Sequence, residues 1–376
     1  DGPPAVIPSI RVEDASQARI ATDGNMHFRV SLNKTTTVPV SVSYSFQDGT
    51  AKSPADYTAN PNKLTIPAGQ VNGDIVVPIK GDPQDTRETN LQFTITLSNP
   101  ENCSLSRNSA TGTIITENGT YLVTDNTGYS TPNTYAGYNL VWSDEFSGST
   151  LDAGSWNAEI GNGTGGWGNN ELEYYTNNSK NLLLSNGNLI IEARKEATSG
   201  FDYSSARITT QNKKSFTFGR VDIRAKLPVT KGIWPALWML GANINSVGWP
   251  ACGEIDIMEL IGTYPSRVYA TLHWKNASNN HDSKGNSYDL SSGNFSQQFH
   301  VYSLIWEQDQ VKCLIDDQLY LTVTKADLGS ANYPFNSPHF FIFNVAVGGN
   351  WPGSPDASSS FPQRMFVDYV RVFQKP

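Results

Sequence analysis

Apolar residues fall on alternate positions through much of this chain. Met26 to Leu32 reads Met-His-Phe-Arg-Val-Ser-Leu, and Val38 to Phe46, Ile75 to Ile79 and Leu91 to Leu97 follow a similar two-residue beat. Such alternation puts every second side chain on one face of a strand. Gly, Pro, Asn and Asp interrupt these runs at short intervals, and no segment sustains a helical period for three turns. The pattern predicts an all-β protein. Residues 1–119 have the strand spacing of a β-sandwich. A polar stretch rich in Thr, Asn, Gly and Tyr follows at 120–137 and reads as a linker. In 138–376, strands are predicted at Leu189–Ala193, Gly219–Leu227, Ile255–Leu260, Val268–Trp274, His300–Trp306, Val311–Ile315, Leu319–Val323, Phe340–Val347 and Phe366–Phe373. About 240 residues of this kind suit a large two-sheet jelly roll whose concave sheet forms an open cleft.

Composition narrows the class. The 376 residues are 38% hydrophobic and 11% aromatic, enough for two buried cores, while only 16% are charged. Low charge with many Gly, Ser, Thr, Asn, Tyr and Trp fits a secreted β protein that binds neutral polar ligands. The net charge of −8 argues against nucleic acid and anionic membranes as partners. No apolar run reaches a membrane span, and a chain opening at Asp1 reads as a mature or trimmed product. Cys103, Cys252 and Cys313 permit at most one disulfide, so bridges do not define the fold. Cys252, with no His adjacent, reads as a buried structural thiol rather than a nucleophile.

The run Gly253-Glu254-Ile255-Asp256-Ile257-Met258-Glu259 sets three carboxylates inside an apolar strand. Glu254 and Asp256 share a face, but Glu259 should point the other way. One β-bulge near Ile257 or Met258 would return it and bend the strand. Crowded carboxylates split their pKa values, so that one stays protonated while a neighbour is charged. A retaining glycosidase needs that pair, about 5 to 5.5 Å apart. A calcium-ligating or structural acidic patch is the alternative. A helix is disfavoured because Glu254 and Glu259 lie five apart and the apolar residues form no helical stripe.

Sugar rings offer apolar faces and hydroxyl edges, so a carbohydrate cleft mixes aromatic rings with amides and charged groups. Trp234 and Trp238, one strand before the triple, fall on one face, toward cleft or core. Gly165 to Tyr174 is a Gly-rich loop with Trp167 and Asn170, suited to a cleft rim. Trp249, Arg207 and His273 complete the candidate substrate-binding set.

Two resemblances follow from these motifs. Residues 1–119 resemble a Calx-β domain through Asp48-Gly49-Thr50-Ala51, Asp56-Tyr57, Ile66-Pro67-Ala68-Gly69, Glu88, Phe93 to Pro100 and Thr111-Gly112-Thr113-Ile114. That family often binds calcium at one end of the sandwich, where Asp56, Asp82, Asp85 and Glu88 are the available acids. This chain closes on Thr116-Glu117-Asn118 rather than an acidic cluster, and a spacer or adhesive role is the expectation. Residues 138–376 resemble glycoside hydrolase family 16 in its bulged form, Glu-x-Asp-x-x-Glu, from Val141-Trp142-Ser143-Asp144-Glu145-Phe146 to Phe366-Val367-Asp368-Tyr369-Val370-Arg371-Val372. The run Trp167 to Tyr175 is most similar to laminarinases, endo-acting on β-1,3-glucan. The resemblance implies Glu254 as nucleophile, Asp256 as the residue tuning the pair and Glu259 as acid/base, with no catalytic cofactor. It also implies a structural calcium on Glu145, Gly187 and Asp368. The expected protein is therefore a monomeric, extracellular (or periplasmic or cell-surface) hydrolase of β-glucan. The alternatives are a sibling enzyme cutting mixed-linkage glucan, agarose or carrageenan, and a catalytically dead β-glucan lectin.

Overall fold

The computed structural model describes residues 7–376, which divide between Val123 and Thr124 into two compact units. In the first, a four-stranded sheet in the order Asn72–Ile79, Gly24–Leu32, Ser9–Val12, Ser104–Arg107 packs on a five-stranded one, Ala15–Ala18, Ser109–Ile115, Leu91–Glu101, Val40–Asp48, Asn62–Ile66. Alternation decides which face is buried: Met26, Phe28, Val30 and Leu32 point inward, with polar neighbours between them. The core also explains the Asp48…Asp56-Tyr57 signature. Tyr57 stacks on Phe93 with ring centroids 4.0 Å apart, and its hydroxyl donates to Asp48 Oδ1 at 2.8 Å. A buried tyrosine thus gains area and loses no hydrogen bond.

The second unit is a two-sheet jelly roll. One sheet runs Leu182–Ser185, Asn188–Ala193, Gln363–Gln374, Gly219–Lys226, His300–Glu307, Gln310–Ile315, Gln318–Thr324, with Asn139–Asp144 also on Gln363–Gln374. The other runs Asn157–Glu159, Arg207–Thr209, His339–Val347, Ile233–Gly241, Glu254–Glu259, Arg267–Lys275, His281–Asp289. Their facing sides share one apolar core that includes Ile223, Leu237, Ile257, Met258, Leu272, Trp306 and Phe343. All three cysteines are free and buried, and burial pushes the Cys252 thiol up to about 11, so it carries no thiolate at neutral pH.

Residues 124–137, linker-like in composition, lie against this second unit. Thr131 N and Oγ1 both sit 2.9 Å from Tyr369 Oη, Tyr135 Oη donates to buried Asp222 Oδ2 at 2.7 Å, and Arg224 donates from Nε to Tyr129 O and from Nη2 to Asn126 O. Polar residues here serve buried charges on the neighbouring sheet, a use that composition alone does not distinguish from a tether.

Candidate active site

The acidic strand Glu254–Glu259 lies between Ile233–Gly241 and Arg267–Lys275, and its pairing slips where the three acids require it. Asp256 pairs with Thr271 and Glu259 with Tyr269, so Ile257 and Met258 together oppose Ala270. Ile255, Ile257 and Met258 are fully buried on the core side, while all three acids line the cleft on the other. A bulge spends its extra residue on this reversal of face. Gly253, at φ 81, feeds the strand from a tight turn, and a Cβ there would lie 2.8 Å from the Pro334 ring.

Each glutamate has an indole donor. Trp249 Nε1 donates to Glu254 Oε2 at 2.9 Å, and Trp234 Nε1 to Glu259 Oε1 at 3.0 Å. His273 Nε2 stands 3.0 Å from Asp256 Oδ2 and 3.8 Å from Glu254 Oε1, although Oδ2 of Asp256 lacks an aligned hydrogen bond. His273 Nδ1 meets His281 Nε2 at 2.8 Å, in a donor direction set by the tautomers. Burial drives the carboxyls upward. Glu254 is pushed up to about 8, first by desolvation and then by the charge of Asp256, against His273, the Trp249 N–H and Arg207. Desolvation raises Asp256 as well. Glu259 is raised well above the carboxylate range by burial and then by Asp256. Glu254 keeps 18% of its side-chain surface open against 4% for Asp256, so water reaches Glu254 better. The order that follows is a proton held on Glu259 and a negative charge most easily placed on Glu254.

The cleft above the triple has a volume of about 560 Å³. Arg207, buried on Arg207–Thr209, lies with its guanidinium 4.3 Å from the Trp167 ring and 5.0 Å from that of Trp238, and its Nε donates to Glu159. Trp238 Nε1 donates to Asn344 Oδ1 at 2.8 Å. Both Trp234 and Trp238 therefore face the cleft, and Trp249, 49% exposed, forms part of its edge. Trp167 is carried by the tight turn Gly166–Asn170, where a Cβ on Gly166 would meet Glu171 N at 2.4 Å. Asn170 does not line the cleft. Its Nδ2 donates to Asn350 Oδ1 at 2.9 Å and clasps two rim loops, while Asn169 lines the wall.

Several lining groups escaped sequence reading. Trp351 packs edge-on to Trp234 and Tyr269, at 5.5 and 5.0 Å, and its run Gly348-Gly349-Asn350-Trp351 carries the same Gly-rich aromatic signal as Gly165–Tyr174. His281 sits on an edge strand with no apolar pattern to flag it. Glu171 lines the cleft and accepts from Tyr175 Oη at 3.2 Å; burial raises it, and raises buried Glu173 further because Glu171 lies beside it.

Glu145, Gly187 and Asp368 converge through pairing, because Asn139–Asp144 and Asn188–Ala193 approach the two halves of Gln363–Gln374 on either side of Asp368. Glu145 holds Arg371 with both carboxylate oxygens, at 2.8 and 2.7 Å, and Asp368 Oδ2 accepts from Arg224 Nη1 at 2.8 Å. Next to Gly187, the buried Oδ1 of Asn188 has no protein partner. An orphan oxygen beside Asp368 and backbone carbonyls fits a hard cation, with the Glu145 carboxylate already engaged. Among the described residues, Glu254, Asp256 and His273 also bring ligand-type atoms within 4.8 Å of one another. Calcium prefers an all-oxygen shell, and here an imidazole and an indole-bonded carboxylate fill the set.

Comparison with known proteins places this geometry. The model for glycosyl hydrolases family 16 matches residues 166–371, and that for the Calx-beta domain matches 6–126. Glucan endo-1,3-beta-glucosidase A1 of Niallia circulans is 41% identical over 270 residues, 66% of this chain and 39% of its own, so this chain spans about two fifths of that relative's length. A beta-glucanase of Rhodothermus marinus is 42% identical over 252 residues, covering 63% of this chain and 85% of its own. The laminarinase catalytic domain of Thermotoga maritima superposes with a TM-score of 0.60 at 49% identity, over 64% of this chain and 99% of that domain. With its acidic triple on one bulged strand of a jelly roll, and a Calx-beta domain ahead of it, the chain belongs to glycosyl hydrolase family 16.

Proposed function

We propose that the second unit hydrolyses β-1,3-glucosidic bonds inside laminarin-type β-glucans with retention of configuration. The observation that carries this reading is the bulge, which sets Glu254, Asp256 and Glu259 on one wall of an aromatic cleft and gives each glutamate an indole N–H. The Glu254 carboxylate attacks the anomeric carbon while Glu259 gives its proton to the glycosidic oxygen, and the C1–O bond breaks. A covalent glycosyl ester on Glu254 results. Glu259, now charged, takes a proton from water, the water oxygen attacks C1, and Glu254 leaves as carboxylate. Asp256 and His273 tune the pair through charge. A lectin reading is disfavoured because all three carboxylates are present.

Of the relatives' substrates, β-1,3-glucan is the one named for Niallia circulans and echoed by the laminarinase domain of Thermotoga maritima. A structural calcium on Asp368, Gly187 and Glu145 is part of the same reading, supported by the orphan Asn188 Oδ1. A polymer of sugar does not cross a membrane intact, so the enzyme acts outside the cell, and a cleft built wholly from one chain works as a monomer. No helix among the described residues is long and apolar enough to span a membrane. Proton NMR of early products on laminarin, lichenan and agarose tests the proposal. Laminarin should be cut fastest with β anomer appearing first; α anomer first, or preference for agarose, contradicts it.

A further inference from the structure

The acids that the Calx-β resemblance offers for calcium are already occupied by the protein itself. Arg19 follows the strand Ala15–Ala18 and is pinned by its backbone N–H, which donates to Ile115 O at 3.0 Å. This fixes a guanidinium at the acidic end of the sandwich with only 11% of its side chain exposed. Its Nη2 donates to Asp56 Oδ1 at 2.7 Å, and Nη1 reaches Glu88 Oε1 at 3.5 Å. Most of the remaining oxygens are taken as well. Asp56 Oδ2 accepts from Lys52 N at 2.8 Å, Asp82 accepts from Gln84 N and Thr86 N at 3.0 and 2.8 Å, and Asp85 Oδ2 accepts from Thr120 N and Oγ1 at 3.0 and 2.8 Å. A cavity of about 90 Å³ remains, lined by Arg19, Asp82, Asp85 and Thr116. Any metal ion entering it would lie beside a fixed positive charge, and the buried Arg19 Nε, which has no hydrogen-bond acceptor, is a donor rather than a ligand.

We propose that Arg19 is the built-in cation of this site, so that the first unit holds its acidic loops together without calcium. The ion pair does the organising work that a bound metal would do, and it does so at any calcium concentration. A guanidinium is always charged and supplies directed donors to carboxylates. A calcium ion competing for Asp56 and Glu88 must displace it. Removing the guanidinium should uncover a cation site that the native chain hides.

Hydrogen–deuterium exchange on the full chain tests this, read on peptides covering residues 80–90 and 114–121, after chelation and again in about 10 mM calcium, a concentration roughly ten- to a hundredfold above the dissociation constants of extracellular calcium modules. These peptides lie in the first unit, so a calcium ion bound in the second unit does not enter the readout. In the native chain and in Arg19→Lys their exchange should not change with calcium. In Arg19→Ser calcium should slow it by about tenfold to a hundredfold. Should Arg19→Ser unfold the first unit, calcium restoring protection supports the proposal and failure to restore it counts against it. Calcium protection in the native chain, or indifference in a folded Arg19→Ser, overturns it.

Discussion

The site's chemistry begins with the cost of holding carboxyls away from water. Burial pushes folded Glu254 up to about 8, against 4.5 for an unconstrained glutamate, so the attacking carboxylate is the ionised fraction, which grows as pH rises toward 8. Below 4.5 both the folded and unfolded chains bind that proton, and Glu254 costs no stability. Between 4.5 and 8 only the folded chain binds it, so stability falls as pH rises and levels off above 8. Glu254→Gln removes the titration and keeps an oxygen to accept from Trp249. Thermal unfolding of the second unit should show the variant matching the native chain at pH 4 and exceeding it at pH 8, by on the order of 2 kcal/mol or more. Equal stability at both pH values would mean that Glu254 is not desolvated in the folded state. Much of this was legible: three acids in an apolar strand had to share the face away from the core. Their partners were less so. His281 and Trp351 reach the cleft from an edge strand and a rim loop, and only tertiary packing brings them to residues far away in sequence.

At the scale of elements, the bulge turns a sequence spacing into a site. A period of two sends Glu259 toward Leu237 and the core; two residues opposite Ala270 send it to the cleft. The need for such a slip is readable in Glu-x-Asp-x-x-Glu, because the acids must share a face. Deleting Met258 should restore regular pairing in the spacing Glu-x-Asp-x-Glu, with Glu259 four residues after Glu254 and still on the cleft face. We expect the deletion variant to retain glucanase activity while the second unit loses about 2 to 5 kcal/mol for the missing core side chain, measured by denaturant unfolding. A folded deletion variant without activity would show that the bulge does more than set the face of Glu259. The acidic strand and its neighbour Arg267–Lys275 were predicted within a few residues, since their apolar runs are long. Short elements such as Asn157–Glu159 were missed, because three residues carry too little pattern to separate from loop.

For the whole molecule, the division of labour follows from where the buried charges find partners. Every cleft residue lies in the second unit, so residues 124–376 should hydrolyse soluble laminarin at the rate of the full chain. Starting instead at 138 removes the partners of Asp222, Arg224 and Tyr369, and that shorter chain should unfold several degrees lower. Equal melting of the two truncations would make residues 124–137 a dispensable strap. The boundary was hard to read because Thr, Asn and Tyr serve as well in a tether as on a polar sheet surface. The central claim is that Glu254 forms a covalent bond to the sugar. A 2-deoxy-2-fluoro laminaribioside with a good leaving group, followed by peptide mass spectrometry, tests it most directly: one sugar adduct on the peptide bearing Glu254, absent in Glu254→Gln, is the predicted result, and an adduct on another residue, or none while the compound is turned over, would contradict it.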